Sequence, residues 1–177
     1  MVAPVRPAST QSKGTTKIVF VPAFTGAYTA PDVTAAAGAS ALDVTNMFFE
    51  SSAMPDASTQ MARAARRVGD VESYEFVGEV QWTLGEMRYA FNPQAAALSD
   101  QKKAFEKFPY GTTGYLLIRK GIDRNTDLAT GQFVSVYPVS FGSQVETDEG
   151  DGDSAEVAIK QGVGVTGPPA QVVALVA

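Results

Sequence analysis

Cysteine and histidine are both missing from the 177 residues of this chain. The lack of cysteine excludes disulfides, zinc–thiolate sites and thiol nucleophiles. The lack of histidine removes the commonest general base and metal ligand, and with it Ser-His-Asp catalysis, Cys-His catalysis and every imidazole-bound metal. Carboxylate, lysine or tyrosine chemistry stays open, but the composition favours a protein that is not an enzyme and carries no cofactor.

Positive charge and long apolar runs are also scarce. Lysine and arginine number 14 against 19 aspartates and glutamates, which gives a formal net charge of −5. A protein that clamps nucleic acid needs basic side chains to neutralise phosphates, so stable binding to nucleic acid is not expected. The start MVAPVRPASTQSKG has no apolar signal-peptide core, and no run approaches the ~20 apolar residues of a membrane helix. We therefore expect a soluble product made in the cytoplasm, with no membrane partner.

What is present is a series of β-branched and aromatic runs separated by turn residues. The clearest strand patterns are TTKIVFVPA, SYEFVGEVQWTLGEMRYAF, GYLLIRKG, QFVSVYPVSFGSQV, SAEVAIKQGVGVTG and AQVVALVA. One helix is predicted in LSDQKKAFEKFPYG, capped by Ser99 or Asp100, with Leu98, Phe105 and Phe108 on one side. About seven strands without βαβ alternation predict a mainly β fold, an antiparallel β-barrel or sandwich with one short flanking α-helix.

Three strand patterns carry positional detail. The almost uninterrupted apolar run GYLLIRKG predicts a central strand buried on both faces. After Gly85 the large residues move to the other face of their strand, which predicts a β-bulge or sharp bend there. Pro138 cannot donate a ladder hydrogen bond, so its strand is expected at an edge or a bend.

The remaining segments suggest a simple domain organisation. Residues 1–14 are rich in proline, serine and threonine and predict a flexible N-terminal arm, followed by a single domain over residues 15–177. The stretch at about residues 46–70 has weak periodicity and predicts a long loop. Within it, QMARAARR favours either a helical turn or a strand extended from a sheet. Loops of this length in compact domains are usually functional or disordered.

The segment SQVETDEGDGDSAEV raises the question of a metal or catalytic site. It does not match a calcium-binding helix–loop–helix, because Ser154 stands where the glycine is needed and Lys160 where the last glutamate is needed. A pair of glycosidase acids would need two carboxylates in different environments. The favoured interpretation is a hydrated connection between strands at 132–145 and 154–166, with cation binding left open. The candidate acidic loop comprises Glu146, Asp148, Glu149, Asp151, Asp153 and Glu156.

Two other clusters are candidates for contacts between subunits. The apolar run MFF would be a liability on the surface of a monomer and useful as an interface anchor, although packing in the subunit's own core is equally plausible. The basic run RRVGD, with one arginine upstream, can pair with carboxylates of a neighbouring subunit or remain a solvated surface. The candidate inter-subunit contacts are Met47, Phe48, Phe49, Arg63, Arg66 and Arg67.

The order of these pieces resembles that of a known family. The most specific parts are GYLLIRKG and the ending VYPVSFGSQV…IKQGVGVTGPP, preceded by RRVGDVESYEFVGEVQWTLGEMRYAFNPQ. The chain is similar to the major tail tube protein of long-tailed, siphovirus-type bacteriophages, especially those of actinobacteria. The resemblance covers most of the chain.

This resemblance implies a structural virion protein in the phage tail. Members of the family form a β-barrel or sandwich with a flanking helix, and their hexameric rings stack into a hollow tube through which DNA passes. The implied partners are further copies of the chain, the tape measure protein, and the distal tail and tail terminator proteins. DNA would be only a transient, non-specific cargo in the bore. An acidic bore fits this role, because it repels phosphates and lets the genome slide.

Three alternatives stay open at this point. The first is a tube subunit of a contractile tail or a secretion system, with the same ring fold. The second is a β-sandwich capsid or surface binding module that uses Trp82, Tyr89 or Tyr115 on an exposed face, although aromatics at strand spacing are more often core. The third is a carboxylate-based hydrolase that depends on Asp151 or Asp153.

Overall fold

An antiparallel sheet of seven strands forms the body of the molecule, and a separate two-stranded hairpin leaves it. The computed structural model describes residues 12–50, 52, 54–69, 71–72 and 74–177. The elements in chain order are β1 (Lys17–Val21), α1 (Val33–Ala36), β2 (Leu42–Asp43), β3 (Asp56–Arg63), β4 (Glu75–Thr83), β5 (Glu86–Ala90), α2 (Lys103–Lys107), β6 (Thr113–Arg119), β7 (Phe133–Glu149), a 3₁₀ turn (Gly152–Ser154), β8 (Glu156–Val165) and β9 (Ala170–Ala174).

The main sheet has the strand order β2-β1-β6-β7-β8-β5, with β9 paired to the first part of β7. Its strand pairs are antiparallel, so hairpins and short connections suffice to join neighbours. The mainly β, antiparallel fold class predicted from the sequence is confirmed. The described residues contain two short α-helices rather than the one expected.

Both faces of the main sheet are buried. Along β6, Leu116 and Ile118 belong to one apolar cluster, whereas Leu117 between them belongs to the cluster on the opposite face. Neighbouring residues of a strand point to opposite sides, so a strand covered on both sides must be apolar at every position. The prediction of a central, doubly buried strand in GYLLIRKG is therefore confirmed.

One segment, residues 42–49, covers both outer edges of the curled sheet. At its start, the Val44 N–H donates to the Ile18 carbonyl of β1 at 3.0 Å. At its end, Met47 accepts from the Ala90 N–H, and the Phe49 N–H donates to the Arg88 carbonyl of β5, each at 3.0 Å. Satisfying these edge groups internally removes two templates for uncontrolled pairing with other chains.

Of the two positions expected for the Pro138 strand, an edge or a bend, the edge is wrong, because β7 is central and pairs with three strands. Pro138 lies where β9 has ended and β8 has not yet begun. Its carbonyl accepts from the Thr166 N–H of the connection between them at 2.9 Å. The nitrogen of an antiparallel residue points to the same side as its carbonyl, so Pro138 directs its missing donor toward a turn and not toward a ladder partner.

The break predicted at Gly85 is confirmed. β4 ends at Thr83 and β5 starts at Glu86 in a different sheet, and Gly85 has φ of +66°, a conformation that favours glycine. The predicted helix is shorter than expected, because α2 starts after Lys102 and no side chain caps it. Leu98 does not share a buried side with Phe108, since its own φ is +57° and it is exposed.

The segment predicted as a long loop, about residues 46–70, contains strand β3 at its centre. Of the two conformations left open for QMARAARR, the strand forms in its first half, Gln60 to Arg63, where pairing with β4 supplies the backbone with partners; residues 64–67 have no regular structure. The predicted N-terminal arm, residues 1–14, lies outside the described residues except for its last three positions.

Candidate assembly surfaces

The hairpin of β3 and β4 is the most exposed regular structure that the described residues form. Every residue of β3 is exposed, and Trp82 is the sole residue of β4 that is partly covered. Among the residues that the structure describes, the two strands pair only with each other. A two-stranded hairpin is marginally stable by itself in water, so its length and exposure call for a partner surface.

The register of the hairpin places a row of apolar residues on one face. Directly paired residues of an antiparallel ladder share one face. Ala57 pairs with Trp82, Thr59 with Val80, and Met61 with Val77. The other face carries polar pairs such as Ser58 with Gln81 and, nearer the free end, the pair of Ala62 with Phe76. We call the row Trp82, Val80, Val77 and Met61 the apolar stripe.

The apolar stripe starts at the core and ends in solvent. Trp82 packs against the main core cluster. Beyond it, Val80, Val77 and Met61 have 43%, 70% and 58% of their surface exposed. The stripe is continuous only because the register shifts between Thr59 and Met61, opposite Gly78. Burying the part of these three side chains that is still exposed contributes roughly 1–2 kcal/mol each, which adds to the stability of an interface.

The apolar run MFF contributes to the subunit's own packing. Met47 and Phe48 are half-buried against the main core cluster, and the Phe48 ring centroid lies 6.1 Å from that of Tyr89. Phe49 is also half-buried, and its backbone joins the edge of β5. A role of these residues between subunits stays a prediction.

The three candidate arginines lie toward the free end of the hairpin. Arg63 pairs with Glu75 at 3.5 Å, but it is 80% exposed, and such surface pairs contribute little to stability. Arg66 and Arg67 are exposed and follow β3 directly. The hairpin therefore brings the basic cluster to the end farthest from the sheet, where a contact between subunits is geometrically possible. Such a contact stays a prediction.

The candidate acidic loop is the far end of a hairpin formed by β7 and β8. The predicted hairpin connection is confirmed, although β7 continues four residues beyond the expected boundary, to Glu149. Only Asp151 and Asp153 lie in the connection itself. We call residues 145–157 the acidic hairpin. The described residues contain no group of three or more potential ligands that would hold a metal ion.

A charge network anchors one side of the acidic hairpin. Glu149 is directly opposite Glu156, a repulsive pair, and Arg88 binds Glu149 at 2.9 Å. The hydrogen bond to Glu149 raises the pKa of Arg88. Glu86 lies 3.6 Å from Arg88 and 2.9 Å from Lys160, and the hydrogen bond to Lys160 lowers the pKa of Glu86. Glu149 is thus compensated within the subunit.

A buried polar network joins α2 to the sheet, and the sequence patterns did not reveal it. The Tyr89 hydroxyl donates to Gln161 Oε1 at 3.0 Å and accepts from Gln144 Nε2 at 2.9 Å. Gln161 Nε2 donates to the carbonyls of Phe108 and Gly142, each at 2.8 Å. Burial raises the pKa of Tyr89 to about 12. Tyr89 is therefore part of the core and offers no exposed stacking surface.

Fold and surfaces together define a β-sheet protein whose main sheet is covered along β1 and β5 and whose hairpins carry uncovered surface, as expected of a self-assembling structural subunit. A family model described as "Phage tail tube protein" matches residues 3–177. The chain belongs to this family, and its location is the tail of the virion. Comparison with curated proteins gave no sequence match. None of the helices in the described part of the chain is long and apolar enough to cross a membrane.

Proposed function

We propose that six copies of this chain close into a ring, that rings stack into the hollow tail tube of a long-tailed phage, and that DNA passes through the bore. Membership of the tail tube family supports the structural role. The observation that carries the assembly step is the exposed hairpin of β3 and β4, which has two unpaired strand edges and the apolar stripe. When two different patches of successive copies meet, the copies form a closed ring if the rotations from one copy to the next add up to a full turn.

The hairpin is suited to contact with a second copy in two ways. Its free backbone groups can extend a neighbour's sheet, a mode in which main-chain hydrogen bonds supply affinity. Its apolar stripe can be buried at the same time, which removes Met61 and Val77 from water. A monomer would leave both features exposed, at a cost in solubility.

The net negative charge of the chain supports the proposed passage of DNA. Six copies at −5 carry a net charge of about −30 per ring. A net negative wall repels phosphates and so disfavours adhesion of the genome. Tape measure, distal tail and tail terminator proteins are the proposed partners at the inside and the two ends of the tube.

The test is electron microscopy of the purified chain together with two matched double variants. We expect rings or tubes of uniform diameter from the native sequence. Met61→Ser with Val77→Ser removes the exposed part of the apolar stripe, whereas Ser58→Ala with Gln81→Ala alters the opposite face of the same hairpin. The first variant should lose assembly and keep its β-rich circular dichroism, and the second should assemble normally. A native chain that stays monomeric at every concentration would refute the proposed function.

A further inference from the structure

A groove of about 430 Å³ opens where segments around Gly14, Phe49 and Lys120 meet. It lies at the end of the sheet where β1 starts and β6 finishes, since Lys17 pairs with Arg119 there. We call it the basic groove. Its apolar and charged lining residues are Ile18, Phe48, Phe49 and Met54, with Lys13, Lys120, Arg124 and Glu50.

The cations of the basic groove have no carboxylate partner in the part of the subunit that the structure describes. Lys13, Lys120 and Arg124 are exposed, and within the described residues none of the three forms an ion pair. With Glu50 as the one carboxylate of the lining, the groove has two net positive charges beside apolar surface. Electrostatic complementarity directs such a surface to an acidic segment that also carries apolar side chains.

The acidic hairpin has this combination. It contains six carboxylates and no lysine or arginine, and Glu149 is the member bound by Arg88. Val157 is 47% exposed and pairs directly with Asp148, so an apolar and an acidic side chain share one face near the end of the hairpin. Val145, on the other face, is 57% exposed.

The acidic hairpin does not occupy the groove of its own subunit. None of the groove's lining residues belongs to the hairpin. Arg88 of β5 holds Glu149 at 2.9 Å, and the Arg88 carbonyl in turn accepts from Phe49 and Ser52 at one wall of the groove. The hairpin is thus anchored beside its own groove, and its remaining carboxylates can meet the groove of a second copy.

We infer that the acidic hairpin of one subunit docks in the basic groove of the next copy, with Asp148 and Asp153 facing Lys120 and Arg124. The inference rests on the proposed self-assembly and names one of its contacts. The contact is head-to-tail, because two different surfaces of the same chain meet. Residues 1–11 are a poorer occupant, since Arg6 is their sole charged side chain and would add positive charge to the groove.

A charge swap tests the contact. Lys120→Glu with Arg124→Glu reverses the groove, Asp148→Lys with Asp153→Lys reverses the hairpin, and the fourfold variant restores attraction with inverted signs. We expect each double variant to raise the critical concentration for assembly at least about tenfold and the fourfold variant to recover most of the loss. Lys103→Glu with Lys107→Glu, on α2, is the control with an equal change of charge and should assemble normally.

The lack of native cysteine permits a direct second test. Lys120→Cys combined with Asp153→Cys should form disulfide-linked ladders between subunits under oxidation, because the proposed contact brings these positions of successive copies together; a bond within one chain would give no ladder. Lys107→Cys combined with Asp153→Cys is the matched control and should not form ladders. Ladders specific to the first pair support the contact even where the charge variants fold poorly.

The outcomes separate this inference from the proposed function. Normal assembly of both charge-reversed variants, with no ladder from the first cysteine pair, overturns the contact and leaves the tube function intact. Loss of assembly on deleting residues 1–11, with no effect of reversing the groove, assigns the groove to that segment and also overturns it. A native chain that never assembles overturns both proposals.

Discussion

Replacing Gln161 by methionine should remove the centre of the buried polar network while nearly keeping side-chain volume. Gln161 is fully buried and forms three side-chain hydrogen bonds, to the Phe108 and Gly142 carbonyls and from the Tyr89 hydroxyl. Gly142 lies where the register of β7 and β8 shifts, so the glutamine amide supplies its carbonyl with a donor that the ladder does not. The substitution leaves three buried polar groups without these partners.

The expected loss is about 3–5 kcal/mol. An unsatisfied buried group costs about 1–3 kcal/mol, and Tyr89 keeps its bond from Gln144, so the low end of the range applies. With an unfolding entropy of about 2.1 cal/mol/K per residue, a chain of 177 residues has a Tm that drops by roughly 8–14 °C. Gln94→Met, at an exposed position, is the control and should change Tm little.

The measurement is thermal and urea-induced unfolding at several low protein concentrations. Low concentration matters, because assembly would add to the apparent stability of the native state. A loss below about 1 kcal/mol for Gln161→Met, or one no larger than that of Gln94→Met, would refute the reasoning. Combination with Tyr89→Phe provides a further check, since residues of one network should not add independently.

Three further changes have defined outcomes. Burial raises the pKa of Tyr89 to about 12, against an ordinary value of 10. The contribution of neutral Tyr89 to the free energy of unfolding is therefore fully present below pH 10 and falls by about 2–3 kcal/mol as the pH rises to 12. Tyr89→Phe should flatten this pH dependence in urea titrations. Gly114→Ala should cost about 1–3 kcal/mol, because the new Cβ would lie 2.5 Å from the Phe20 ring, whereas Gly164→Ala has room and should be nearly neutral in the same assay. Arg119→Met should speed hydrogen exchange in residues 120–132, because the buried guanidinium binds the carbonyls of Asp123 and Asp127.

Strand content could be predicted from the sequence because alternation and apolar runs are local signals. GYLLIRKG and the change of face at Gly85 fall in this class, and the structure has both features. The edge position expected from Pro138 was wrong, because the effect of a missing hydrogen-bond donor depends on which strands flank the proline. That arrangement is a property of the assembled sheet and not of the local sequence. The length of β7 was underestimated because its last residues are acidic, and Arg88, 61 positions earlier in the chain, compensates Glu149.

The candidate assembly surfaces depend on contacts between distant parts of the chain, which local sequence patterns do not predict. Tyr74, Phe76 and Val80 share parity in the sequence and so predict one face. The register shift at Gly78 instead pairs Phe76 with Ala62 on the face opposite the apolar stripe. Gln161 occupies an inward position of β8 that the pattern would assign to an apolar residue. The basic groove joins three segments that are at least 27 positions apart in the chain, so no local pattern predicts it.

The positions of the uncovered backbone and apolar groups determine how this molecule can associate. Residues 42–49 close the outer edges of β1 and β5, although nearby Phe48 and Phe49 leave an apolar floor in the basic groove. Within the described residues, the β3–β4 hairpin keeps both edges and the apolar stripe open, and Asp148 and Asp153 of the acidic hairpin form no ion pair. Covered sheet edges suppress indiscriminate pairing, whereas projecting hairpins permit contacts of one geometry. Covering β1 and β5 while exposing the hairpins therefore favours ordered polymerisation over aggregation.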